Sequence, residues 1–242
     1  MRYTHGFKII RGRKHRGKIS LIISGVLLAL IFVLGFTTLD ATQFFFGFFE
    51  SLVRILISYA ISLGLAILIS VFVTSSREIE NVGLPMLDAL QSFPAFALAP
   101  LLIIWLGKST SVVVTILVIE MIWPILFTIL SAQKQIKTDL LETAKIFGAN
   151  HLNYFIYVLI PLIFPAIITG SIVAWGQAWE TIIAAEIIVN VPGVGSYLSQ
   201  SGQDFNSRVL LIGILLLMMI LFLLNKYIWL PLLNLSTRYQ QE

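Results

Sequence analysis

An all-α polytopic membrane protein with about six transmembrane helices is the fold class this sequence predicts, on three observations. Charged residues make up only 12% of the 242 positions, half of the roughly one quarter that a soluble domain carries. Hydrophobic residues make up 58% and mean hydropathy is +0.94, so the chain lacks the polar surface to cover a core of its own in water. The apolar residues are also gathered into runs of about twenty, each long enough to cross roughly 30 Å of hydrocarbon as a helix. The sequence has no cysteine, which excludes disulfides and thiolate metal sites. Its three histidines, His5, His15 and His151, lack ligand spacing, and no metal or catalytic site is expected.

In chain order, residues 1–18 carry Arg2, Lys8, Arg11, Arg13, Lys14, Arg16 and Lys18 without one acid. Such a run suits nucleic acid or anionic headgroups. A hydrophobic run follows at once, so the headgroup reading is preferred and no nucleic-acid partner is expected. Residues 19–39 are uncharged and read as the first span, being too long for a signal-peptide core and followed by no convincing cleavage site. Asp40 and Glu50 are expected in a loop, with Arg54 at a membrane border and the second span over about 55–74. Gly64 and several small residues there suit close helix packing. Arg77, Glu78, Glu80 and Asp88 mark the return loop. The third span, about 89–106, contains Pro94 and Pro100, whose freed carbonyls need neighbours or water. The fourth covers about 112–132, the fifth runs from about 155 past Ala174 towards Trp179, and the sixth covers about 209–224. A transmembrane domain over 19–232 and a tail over 233–242 follow.

Six spans put both termini on one side. Thirteen bases then fall on the side of residues 134–157, against Lys108 and Arg208 on the other. By the positive-inside rule that segment and both termini are cytoplasmic. Within the spans, Glu120, Glu180 and Glu186 are candidates for a translocation pathway, because a carboxylate at membrane depth must be paired, protonated or wet. Glu180 and Glu186, six apart on a helix, point to opposite sides. Trp175, Trp179 and Phe205 suit either interfacial anchors, the preferred reading, or a substrate platform. The run from Trp105 to Ser109, WLGKS, is not a nucleotide loop, since Leu102 stands where its first glycine would be.

The one polar, amphipathic island between apolar runs is ETAKIFGANHLNYFIYVLIPLIFP, from Glu142 to Pro165. Asp139 and Glu142 give a helix start, Leu140, Ala144 and Phe147 one apolar face, and Gly148 a stop. A second short helical stretch, about 152–157, leads to Pro161 and Pro165. The order Glu142-Thr143-Ala144, three residues, Gly148, nine residues, Val158, one residue, Ile160-Pro161 resembles the EAA loop of ABC importer permeases. Thr143, Val158 and Ile160 depart from its usual residues by small or aliphatic replacements. AWGQAWETIIAAEI (174–187) and PAFALAPLLIIWLG (94–107) look like the nitrate, sulfonate and taurine branch.

The resemblance implies a type I ABC importer permease fold with a cytoplasmic coupling helix. It also implies a non-catalytic subunit without a cofactor, ATP and magnesium being held by partner ATPase subunits. A second permease subunit and an extracytoplasmic solute-binding protein would complete the assembly in the cell membrane. Glu142, Thr143, Ala144, Lys145, Gly148, Ala149 and Pro161 would couple to the ATPase. Trp179 and Glu180 join Glu120 and Glu186 as pathway candidates, with Glu186 on the branch's recurring Ala-Glu pair. The rival reading is an ATP-independent secondary transporter or channel using the intramembrane carboxylates; no internal repeat supports it.

Overall fold

Long apolar runs with few breakers form long helices. In the computed structural model, residues 33, 39–136, 151–203 and 207–238 are described, and those with regular structure are all helical. α1 (Ala41–Val73) begins where Asp40 accepts a hydrogen bond from Gln43 N at 3.2 Å. Its 33 residues extend about 50 Å at 1.5 Å per residue, well beyond the hydrocarbon thickness. The expected loop holding Asp40 and Glu50 is therefore helix, and the expected span is only the far part of α1. The first predicted span, 19–39, lies almost wholly outside the described residues.

α2 (Arg77–Gln91) replaces the expected return loop. Ser76 caps it, accepting from Ile79 N at 3.2 Å, and Glu78 and Glu80 suit the positive end of the helix dipole. Pro94 then breaks the chain. A 3-10 turn (Ala95–Leu98) leads into α3 (Ala99–Leu106), where Pro100 sits in the first turn and costs no hydrogen bond. The two halves are bent by 75°, so the third span is broken at the first of its two prolines.

α4 (Thr110–Lys134) matches its predicted bounds to within two residues. It is the central helix, packed along both α1 and α6. Serines on α1 make the close approach possible: Ser58 Oγ donates to Val114 O at 3.3 Å and Ser62 Oγ to Val118 O at 3.1 Å. Small side chains with hydroxyls bonded to a neighbour's carbonyl are the membrane route to tight packing.

A short α5 (His151–Tyr154) runs through a π turn (Phe155–Leu159) into α6 (Ile160–Val189). The predicted fifth span thus reaches ten residues past Trp179. Asn190 ends it in the left-handed conformation, φ 60°, its N–H bonding Glu186 O at 2.9 Å. α7 (Val194–Gln203) follows, then α8 (Ser207–Leu224), a second π turn (Asn225–Trp229) and α9 (Leu230–Arg238). The sixth predicted span therefore does not end near Lys226 but continues as helix. Among the described residues four helical segments suffice to cross a membrane, or five if the bent pair counts as one.

Candidate functional site

Among the described residues, polar side chains gather at the two ends of the bundle. At the Asp40 end, three elements converge on one carboxylate. α1 presents Ser51 and Arg54 one turn apart on its inward face, and the last turn of α6 presents Glu186, which is fully buried. Arg54 Nη1 donates to Glu186 Oε1 at 2.7 Å and to Pro192 O at 2.5 Å, while Glu50 Oε2 lies 3.7 Å from Nη2. Ser51 Oγ donates to Glu186 Oε1 at 2.7 Å. The first amides of α7 find acceptors on the other two elements: Gly195 N bonds Glu186 Oε2 at 2.9 Å and Val194 N bonds Ser51 Oγ at 3.0 Å. Helix-start amides have no partner within their own helix, and a carboxylate there is favoured by the dipole.

The turn between α6 and α7 fits only without a side chain at Gly193. A Cβ on Gly193 would fall on the Glu186 carboxylate, and one on Gly47 would lie 2.9 Å from the Gly193 carbonyl carbon. Ser196 Oγ donates back to Val191 O, and Tyr197 N to Gly193 O at 3.1 Å. An open groove of about 350 Å³ lies beside the turn, lined by Thr42, Phe46, Glu50, Gly193 and Tyr197 among others. Burial raises the Tyr197 hydroxyl above the ordinary phenol pKa, partly offset by a hydrogen bond with the Asp40 backbone.

At the Lys134 end, Lys134 Nζ pairs with Glu80 Oε1 across α4 and α2 at 3.2 Å, and Gln133 Nε2 donates to Ser70 Oγ at 3.4 Å. A second groove of about 420 Å³ opens between α2 and α4, lined by Leu84, Asp88, Phe127 and Lys134 among others. Of the coupling residues, Glu142, Thr143, Ala144, Lys145, Gly148 and Ala149 lie outside the described residues. Pro161 is exposed in the first turn of α6.

The predicted pathway residues divide. Glu120 is half-buried on α4, near enough to the exposed Glu180 on α6 for their charges to interact. Pro124 follows four residues later, so the Glu120 carbonyl lacks its usual helical donor. Glu186 instead faces the bundle interior. Trp179 is 3% exposed and stacks on Phe48, with ring centroids 5.2 Å apart and planes within 8°. The preferred reading of Trp179 as an interfacial anchor does not hold, because it packs inside the bundle. Trp175 meets Trp229 edge-on at 5.6 Å, and Phe205 lies outside the described residues.

The sequence placed Arg54 only at a membrane border, took Gly193 only as part of a helix end, and gave Ser51 no role. The signal that could have found them is the spacing of Ser51 and Arg54 on the face of α1 that carries Gly47, Ser58 and Ser62, all buried. A buried arginine there requires a carboxylate from another helix.

The family pattern described as binding-protein-dependent transport system inner membrane component matches residues 62–230. The chain is 25% identical over 175 residues to the taurine transport system permease protein of Escherichia coli (strain K12), covering 72% of this chain and 64% of that protein. To the nitrate import permease protein of Leptolyngbya laminosa it is 26% identical over 182 residues, covering 74% and 64%. To the bicarbonate transport system permease protein of Synechococcus elongatus (strain ATCC 33912 / PCC 7942 / FACHB-805) it is 24% identical over 182 residues, covering 74% and 66%. The chain thus spans just under two thirds of the length of these curated relatives.

Proposed function

Because the chain belongs to the family of inner membrane components of binding-protein-dependent transport systems, we propose that it is the membrane-spanning, non-catalytic subunit of an ATP-driven importer. The observation that carries this is the family match over 62–230, which runs from the middle of α1 to the start of α9 and includes the Glu142–Pro161 island. Residues 134–157 face the cytoplasm and dock on a separate ATPase subunit, with Glu142 offering charge, Ala144 a close contact and Gly148 the bend. A second permease subunit, the same chain or a homologue, completes the pathway. An extracytoplasmic binding protein delivers substrate at the Asp40 end. ATP closes the ATPase dimer and the spans rock between inward-open and outward-open.

Glu120 and Glu180 belong to the pathway wall in this reading. What supports it is that Glu180 is exposed on a spanning helix with Glu120 close by, and carboxylates at that depth do not face lipid. The substrate is a small oxyanion, sulfonate or amino sulfonate, a class supported by the taurine, nitrate and bicarbonate permeases to which the chain is similar.

Co-purification followed by uptake tests the proposal. The full chain is expected to carry an ATPase with it, and vesicles containing the assembly and its binding protein should accumulate one of labelled taurine, nitrate, bicarbonate or an alkanesulfonate only with ATP. Gly148→Trp should abolish that uptake, lowering it at least tenfold, while membrane insertion is unchanged. Accumulation by the chain alone, without ATPase or nucleotide, would establish the secondary-transporter reading instead.

A further inference from the structure

The Arg54–Glu186 pair is one side of a closed triangle. Arg54 ties α1 to α6 through Glu186, and to the intervening turn through the Pro192 carbonyl. Ser51 ties α1 to α7 through the Val194 amide. The second oxygen of Glu186 ties α6 to α7 through the Gly195 amide. Each pair among the three elements is thus joined directly, by bonds whose side chains are buried. A single bond between two helices lets them pivot, whereas three elements joined pairwise cannot shear without opening a buried charged contact. Opening one leaves the buried Glu186 carboxylate short of a partner, which is costly away from water. The packing around the triangle agrees. Phe44 meets Tyr197 edge-on at 5.7 Å, Phe48 stacks on Trp179, and Gly47 lies against Gly193 with no room for a methyl.

We propose that Arg54 and Glu186 form a positioning lock, which holds the surface helix α7 and the adjoining ends of α1 and α6 as one rigid body in every conformation the protein adopts. The flexure of the bundle then lies away from this end, at the π turns before α6 and beyond α8. That it stays locked while ATP drives the spans rests on the transport reading above; the lock itself does not.

A short thiol-specific cross-linker placed between F44C and Y197C, in the otherwise cysteine-free full chain in membranes, reads the lock from outside the triangle. Arg54→Ala is expected to slow cross-linking at least tenfold, and Arg54→Lys to restore part of the rate, since an ammonium reaches Glu186 without the second contact. An unchanged rate in R54A overturns the lock. Should R54A fail to insert, the double variant R54M/E186L decides, because it removes both charges and keeps the volume. Slow cross-linking at near-native thermal stability supports a positioning role. Native rates in the double variant show that the pair merely neutralises itself, and overturn the proposal. With the ATPase bound, the rate should be equal without nucleotide and with ATP plus vanadate, and a difference of tenfold or more would show that the triangle opens. Failure to find an ATPase sinks the transport reading alone, and leaves the variant rates to decide for the lock.

Discussion

Arg54 and Glu186 are each worth more as a pair than either is alone. With side-chain exposures of 7% and 0%, neither is solvated, and removing one leaves the other charged and dry. Such half-removals cost about 3–5 kcal/mol, whereas replacing both ions with apolar groups of similar volume is often neutral. Glu186→Ala should therefore lower the thermal unfolding temperature in detergent far more than the double replacement R54M/E186L does. Equal losses would mean that the pair contributes through packing and not through charge. Gly193→Ala should act in the same direction as Glu186→Ala, since its methyl displaces the carboxylate. At this scale the sequence was half legible. Ala185-Glu186 stood out, and the six-residue spacing put Glu180 and Glu186 on different sides, one exposed and one buried. Arg54 did not stand out, because its partner is 132 positions away and no local spacing encodes that pairing. The three intramembrane carboxylates look alike as letters, and packing separates the buried, bonded Glu186 from half-buried Glu120 and exposed Glu180.

Each of the two π turns is followed at once by a residue and a proline. Phe155–Leu159 precedes Ile160-Pro161, and Asn225–Trp229 precedes Leu230-Pro231. A proline ring inside a helix presses on the carbonyl four residues back and offers it no donor. Those carbonyls belong to Tyr157 and Tyr227. Widening the preceding turn, so that Ile160 N reaches Phe155 O and Leu230 N reaches Asn225 O, moves each carbonyl aside and lets the helix continue. A π turn is in effect one extra residue in an α-helix. Deleting exposed Tyr227 together with Pro231→Ala should therefore restore a regular helix, with a stability change of about 1 kcal/mol. Deleting one residue in the middle of α8 instead rotates everything beyond it by about 100°. That should destroy the packing of Trp229 on Trp175 and Tyr59 and cost several kcal/mol; similar melting temperatures for the two deletions would contradict this account. Prolines in the sequence read as bends or ends, which is right for Pro94, where no widening occurs and the chain turns by 75°. At Pro161 and Pro231 the helix continues instead. The difference depends on whether neighbours hold the helix straight, which local sequence does not carry. The same limit explains α1, where aromatic residues 44–46, 48 and 49 and the capping Asp40 extend a helix into what charge alone marked as loop.

At the scale of the whole molecule, hydropathy and charge bias were enough for the class of fold, because lipid leaves so few backbone solutions. What they do not give is which apolar surface meets lipid and which meets a partner. The least buried span, Ser207–Ser236, has 22% of its most apolar window inside the bundle, against 50% for α4. Both kinds of contact are apolar, so composition does not separate them. Orientation is different, because it rests on bases outside the membrane. The Ser70–Gln133 contact puts the far end of α1 beside the end of α4 that leads into residues 137–150, so whatever side holds Ser75 also holds the proposed ATPase-docking loop. Thr42, exposed in the first turn of α1, marks the opposite end of the same long helix. The absence of cysteine makes single-cysteine labelling clean. In intact cells, Thr42→Cys should react with a membrane-impermeant maleimide, and Ser75→Cys should react only once the membrane is opened, with at least a tenfold contrast for each. If Ser75→Cys is the one labelled from outside, the loop lies away from ATP, and the positive-inside reading and the coupling mechanism fall together.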